Sequence, residues 1–250
     1  MRIDKHKCAG CGQCTEYCTL GNIASCHRDE KSGRVYYEIN EDECVDCGVC
    51  LRAEICQTGA LFMPKYEWPR TVRGNFSDPL VEHPETKVPG RGTEEMKTND
   101  VTGRFKWGEA GMAVEMGRPG VGARFPDIEK VAMAIAAIGN ITFEPKNPLT
   151  GLMSDKKTGK MNEEVMGEKV LSAIIELMVP VQRVPEVIAA VRKVSKEIST
   201  VCSFDLTTKV DRDGGVKAFD AAKAAGIQPT VNGKINVGLG RPLFVEERQA

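Results

Sequence analysis

Cysteine is the residue type in this chain whose spacing could support chemistry. There are ten cysteines, and nine precede residue 64. The first run reads Cys8-Ala-Gly-Cys11-Gly-Gln-Cys14-Thr-Glu-Tyr-Cys18, a C-x2-C-x2-C-x3-C pattern. The second reads Cys44-Val-Asp-Cys47-Gly-Val-Cys50, then five residues, then Cys56. Three thiolates spaced by two residues can curl around one iron–sulfur cubane, each on a different iron, and the fourth iron needs a ligand from elsewhere. Glycines at 10, 12 and 48 permit turns that side chains would block. Amides exposed by such turns can hydrogen-bond the sulfurs and tune a cluster's potential. Tetrahedral zinc is the plain alternative, but it is typically built from C-x2-C pairs rather than triplets. The opening Met1-Arg2-Ile3-Asp4-Lys5 has no apolar h-region, so an export signal and a disulfide framework are not expected.

Residues 1 to 63 resemble bacterial-type ferredoxins that carry two [4Fe-4S] clusters. The resemblance rests on the first run, on Cys-Val-Asp-Cys-Gly-Val-Cys at 44 to 50 and on Thr58-Gly59-Ala60-Leu61 after Cys56. It implies that Cys8, Cys11, Cys14 and Cys56 hold one cluster, and that Cys44, Cys47, Cys50 and Cys18 hold the other. Three departures stand out. Thr19 and Gln57 follow the fourth cysteines where proline is usual. Five residues, Leu51 to Ile55, precede Cys56 where three are usual. The stretch Arg28 to Ile39 looks like an inserted hairpin around Lys31-Ser32-Gly33. Cys26 reads as a spare thiol near a cluster, and Cys202 as a small buried hydrophobe.

These residues must be positioned by a chain of three compositions. Residues 64 to 104 hold five of the 13 prolines and little apolar periodicity, which predicts an extended arm. The arm also carries Tyr66, Trp68, Phe76, Leu80 and Val81. These anchors are expected to be buried, either across the chain's own domains or against a partner subunit. Residues 105 to 250 alternate strand-like and helix-like patterns. Strands are expected at Ala110 to Met116, Ile141 to Phe143, Val170 to Val179, Val201 to Val210 and Ile235 to Leu239. Helices are expected from Pro126 to Ile138, from Pro185 to Ile198 and over Ala218 to Ala225. Two β-α-β units in series predict a split β-α-β sandwich. The whole reads as α+β: a two-cluster ferredoxin domain, a Pro-rich arm and the sandwich. Arg118-Pro119-Gly120-Val121 and Ala137-Ile138-Gly139-Asn140-Ile141 weakly resemble the start of an ACT-type ligand-sensing domain. The turn at 117 to 122 reads as a tight glycine turn, or as an anion site beside Arg118 and Arg124.

Charge and composition narrow the function. The apolar fraction of 41% excludes a disordered chain. A net charge of -1 argues against a nucleic-acid binder. No apolar run approaches the ~20 residues that span a bilayer. No hydrolase or P-loop motif appears, so no catalytic residue is expected. The expected protein is a cytoplasmic electron-transfer subunit of a multi-subunit anaerobic oxidoreductase. Its C-terminal half would serve docking to that partner or self-association into a homo-oligomer. The alternative is a redox-linked sensor whose C-terminal domain binds a small molecule such as an amino acid. Residues 1 to 63 carry seven Lys plus Arg against ten Asp plus Glu, a net of -3. That excess predicts an acidic face that steers toward a basic partner.

Overall fold

The computed structural model describes residues 1–21, 23–84, 87, 89, 106–118 and 120–230. The architecture is mixed α and β with small antiparallel sheets. The N-terminal part opens with β1 (Arg2–Ile3) and α1 (Gln13–Glu16). A hairpin of β2 (Ala24–Arg28) and β3 (Val35–Ile39) follows, then α2 (Val49–Arg52) and β4 (Leu61–Phe62). β1 pairs with β4 through Ile3 opposite Leu61, which closes the N-terminal part on itself. The hairpin covers the stretch Arg28 to Ile39 expected to form one and begins earlier, at Ala24. Its turn is organised by the Asp29 carboxylate, which accepts from the Ser32 amide and hydroxyl, each at 2.7 Å. Met1, Ala24, Ile39, Cys44 and Leu61 form a small core of their own.

The arm is not fully extended. Residues Thr71–Ser77 form α3, where the proline content predicts no helix. The prolines bracket this element instead of interrupting it. Pro69 precedes the Arg70 cap and Pro79 follows the Asp78 cap, so neither removes a helical hydrogen bond. Val72 and Phe76 point into the larger core. Trp68, by contrast, is 47% exposed and Leu80 is 72% exposed, against the expectation that the anchors are buried. Trp68 is held by its edge: its indole Nε1 donates to Glu164 at 2.7 Å.

The C-terminal part contains β5 (Glu109–Met116), β6 (Ala123–Arg124), α4 (Phe125–Ala136) and β7 (Thr142–Phe143). Next come α5 (Pro148–Gly151), β8 (Met153–Asp155), β9 (Lys160–Met161) and β10 (Lys169–Val170). β11 (Ala173–Pro180), α6 (Val184–Val194), β12 (Cys202–Thr208) and α7 (Lys217–Ala224) complete it. The main sheet runs in the order β12-β5-β11-β7, with antiparallel neighbours throughout. Met112, Val114 and Met116 of β5 and Ile175, Leu177 and Val179 of β11 alternate into the core. Ile128, Val131 and Ile135 of α4 and Val187, Ile188 and Val191 of α6 meet them there at helical spacing.

Two local expectations change. The strand expected over Val170 to Val179 is broken. Val170 pairs with Ala123, and the main strand starts only at Ala173. Between them the Leu171 amide donates to the Ser77 hydroxyl of α3 at 2.9 Å, so the arm interrupts the ladder. Helix α6 ends at Val194, and Ile198 packs against the core from beyond it. The strand expected at 235 to 239 and the arm from 90 to 104 lie outside the described residues.

Candidate metal centre

The two cysteine runs fold alike. Gly12 caps α1 at φ 73° and Gly48 caps α2 at φ 71°, each standing between the second and third cysteine of its run. Left-handed backbone there turns the chain so that Cys11 and Cys14, or Cys47 and Cys50, flank a helix start. A Cβ on Gly12 would lie 2.7 Å from the Tyr37 hydroxyl. The preceding turn repeats the conformation with different residues: Gly10 has φ 70° and Asp46 has φ 53°. Asp tolerates the left-handed region through its short polar side chain. The hydrogen bonds repeat too. The Cys8 amide donates to the Asp4 carbonyl and the Cys44 amide to the Asn40 carbonyl, both at 3.0 Å.

Cys8, Cys11, Cys14 and Cys56 come together. They line one cavity of about 140 Å³ with Ile3, Gly12, Tyr37, Ala60 and Leu61 in its wall. Burial pushes the Cys14 thiol up, and the neighbouring sulfurs of Cys8, Cys11 and Cys56 add to the rise. Two amides point at Cys8 Sγ: those of Gly10 and Tyr37, each at 3.4 Å. The Ala60 amide donates to Cys56 Sγ at 3.2 Å. Burial alone would raise the Cys56 thiol. The Thr58 hydroxyl and the amides of Leu61, Ala60 and Thr58 outweigh burial and hold it below the ordinary value. The two extra residues before Cys56 are absorbed at Glu54. Its left-handed φ of 52° ends the helical turn and sends the chain back toward the cavity.

The second set gathers deeper. Burial pushes the Cys50 thiol up to about 11, and the sulfurs of Cys47, Cys44, Cys18 and Cys14 add to the rise. Cys44 is buried, whereas Cys11 is exposed. The Thr19 hydroxyl lies 3.3 Å from Cys47 Sγ, so the residue standing where proline is usual supplies a polar contact to sulfur. The second set also adjoins the C-terminal part. The carbonyl of Thr19 faces Gly120 and the side chain of Leu20 faces Gly122.

All ten cysteines are free thiols. Among the described residues no three His, Cys, Asp or Glu side chains close on one ion-sized point. A single zinc ion needs its ligands within about 2.3 Å of one centre, whereas a cubane takes one thiolate at each of four irons. Cys8, Cys11, Cys14 and Cys56 line one cavity, a set of four thiols that suits either kind of site. Cys14, Cys44 and Cys50, whose thiols burial pushes up, must also shed protons to bind metal, so loading is coupled to pH.

Sequence reasoning missed four contributors. Tyr37 enters the cavity wall from the hairpin, where alternation alone could have put it on either face. Asp46 gives the spare left-handed turn, and spacing does mark it, since it occupies the place of Gly10. Arg70 and Arg73 reach the second run from α3, an element the prolines hid. Cys26 lies opposite Tyr37 on the hairpin and is exposed. Cys202 is half-buried beside the core, and burial pushes its thiol up. The turn at 117 to 122 does not offer free cations. Arg118 donates to Glu115 at 2.7 Å and Arg124 to Asp42 at 2.6 Å. No helix among the described residues is long and apolar enough to cross a membrane. Set against known proteins, the chain matches no family model, no curated protein and no solved structure.

Proposed function

We propose that this chain is an iron–sulfur electron-transfer protein with two [4Fe-4S] clusters, serving as the ferredoxin-like subunit of a multi-subunit anaerobic oxidoreductase. The observation that carries the reading is the pairing of thiols. The four cysteines of one expected set line one cavity, and Cys18, Cys44 and Cys47 of the other all lie within electrostatic reach of Cys50. Each bound cluster would accept and release one electron at a time. The chain's own part is to hold the thiolates, aim amides at them and keep water from the inner set. Amides directed at Cys8 and Cys56 stabilise negative charge on sulfur. Cys8, Cys11, Cys14 and Cys56 form the accessible site, since Cys11 is exposed at its rim.

The fold reading is the finer companion of this proposal. Residues 1 to 63 form the two-cluster domain. The order β12-β5-β11-β7, with α4 and α6 as the connections, supports a split β-α-β sandwich for the rest. The contact of Gly120 and Gly122 with Thr19 and Leu20 weighs against a sensor. An ACT-like domain often binds its ligand beside that loop, and here the cysteine domain packs on it. We place the protein in the cytoplasm with a redox partner or catalytic subunit.

Anaerobically purified protein is expected to hold about eight iron and eight sulfide per chain, four of each per cluster. Cys11→Ser should halve the iron. Cys26→Ser should leave it unchanged. Zinc in place of iron, or about four iron in the unaltered chain, rejects the two-cluster reading.

A further inference from the structure

Arg73 of α3 is 3% exposed, so its charge must be answered on the spot. One guanidinium nitrogen donates to three carbonyls of a single loop: Glu41 at 3.1 Å, Asp42 at 2.7 Å and Cys44 at 2.8 Å. The Nε donates to the carboxylate of Glu168 in the C-terminal part. Neighbouring Arg70 adds bonds to the Glu41 carbonyl at 2.7 Å and the Cys44 carbonyl at 3.3 Å.

The other run has a counterpart in the same place. Lys5 and His6 precede Cys8 as Glu41 and Asp42 precede Cys44. Their carbonyls accept from one arginine, Arg34, with the His6 bond at 2.9 Å. Arg34 comes from the hairpin and is exposed, and its guanidinium reaches no part of the C-terminal half in these bonds. Each cysteine run is thus preceded by a loop read by an arginine fork. One fork is solvated and local. The other is buried and joined to Glu168.

We propose that Arg73 is the positioning residue of the Cys18, Cys44, Cys47 and Cys50 set, and that it seats this set, but not the first, on the C-terminal half. The inference rests on the two-cluster reading for its purpose, though not for its test. An arginine that holds the carbonyls of Glu41, Asp42 and Cys44 fixes the path of residues 41 to 44, and so the direction in which the Cys44 sulfur leaves the chain. Lysine, a single point charge with no planar fork, cannot reproduce that pattern. The first cavity is lined by residues 3 to 61 alone and needs no such support.

The test uses the full-length, metal-free chain under reducing, anaerobic conditions. Iodoacetamide labels its thiols, and mass spectrometry reads the rate at each cysteine. In the unaltered chain Cys44 should react far more slowly than Cys11. Arg73→Gln should raise the Cys44 rate relative to Cys8 by about tenfold, which corresponds to about 1.4 kcal/mol of local opening. Arg73→Lys and Glu168→Gln should raise it less, and Arg34→Gln should leave it unchanged. In the iron-loaded chain Arg73→Gln should shed about half of its iron on gel filtration, with the other cluster retained. Three results overturn the proposal: an unchanged ratio in Arg73→Gln, an equal rise at Cys8 and Cys44 in every variant, or no protection of Cys44 in the unaltered chain. A chain that binds no iron at all rejects the two-cluster reading, and the labelling ratio still decides the role of Arg73.

Discussion

At the scale of single residues the thiols are defined by their neighbours. Cys50 is pushed up to about 11 because it is buried and surrounded by other sulfurs. A raised thiol pKa favours the protonated folded chain. Its contribution to stability is complete below the unfolded value near 9 and is lost as pH rises toward 11. The metal-free chain should therefore melt earlier at about pH 10.5, inside this window, than at about pH 8, below it. The iron-loaded chain has no thiol proton at Cys50 to lose and should not share that drop. Thermal melts of both forms at the two pH values check this. Equal sensitivity in the two forms would mean that Cys50 is not a ligand.

The residue scale is also where the sequence was most legible. C-x2-C spacing leaves few ways to place three sulfurs, and both runs fold into the turn that spacing suggests. Cys56 was less legible, because its position depends on the left-handed Glu54 and on the strand β4 that follows. The reach of Arg73 was not legible at all. An arginine bonded to carbonyls of residues about thirty positions away leaves no periodic trace.

At the scale of elements, α3 changes how the arm works. Five prolines suggested a chain without helix, yet residue-by-residue placement matters more than count, and Pro69 and Pro79 stand outside the helix. Helix α3 pins the arm through two side chains three residues apart. Arg73 points to the cysteine loop, and Phe76 inserts into the C-terminal core. Phe76 is 4% exposed and meets Phe125 edge-on, with ring centroids 6.4 Å apart. Phe76→Ala should cost about 3–5 kcal/mol, the range for emptying a buried aromatic site. Trp68→Ala should cost less than about 1.5 kcal/mol, since Trp68 is half exposed and loses one surface hydrogen bond. Urea unfolding of the two variants distinguishes them. A larger loss for Trp68 than for Phe76 would contradict the burial on which this account of the arm rests. The apolar runs of β5 and β11 and the helical spacing of α4 and α6 were readable because each packs into a single core. The broken strand at Leu171 was not, because its cause lies in Ser77, far away in sequence.

At the scale of the whole molecule the distribution of charge takes on a different meaning. Residues 1 to 63 have ten acids, and four of them are held in ion pairs. Asp42 pairs with Arg124 at 2.6 Å, Glu43 with Lys169 at 2.6 Å and Asp46 with Arg70 at 2.7 Å. Glu41 pairs with Arg2 at 2.8 Å. Hydrogen bonds from Arg124 and Lys169 hold the Asp42 and Glu43 carboxyls below the usual range, so these contacts persist at neutral pH and fade as pH falls through the folded values. Arg52 is likewise paired with Asp78 at 2.8 Å. Setting aside those four acids with Arg2 and Arg52 leaves five basic against six acidic residues on the rest of the domain. Asp42 and Glu43 join residues 1 to 63 to the C-terminal part, Asp46 is tied to the arm and Glu41 to Arg2, so much of the acidic excess expected to steer a basic partner is paired within the chain. Steered association changes rates by factors of 10 or more and falls steeply with ionic strength. With the side-chain charge this close to neutral, the charge left to steer is mainly that of the bound clusters, and the rate of electron exchange through the exposed Cys11 rim should change by less than about tenfold between low and moderate salt. Stopped-flow reduction of the iron-loaded chain by its partner, across a salt series at fixed pH, measures this. A tenfold fall would show that the remaining charges, despite their small sum, are arranged as a steering patch around the first cavity.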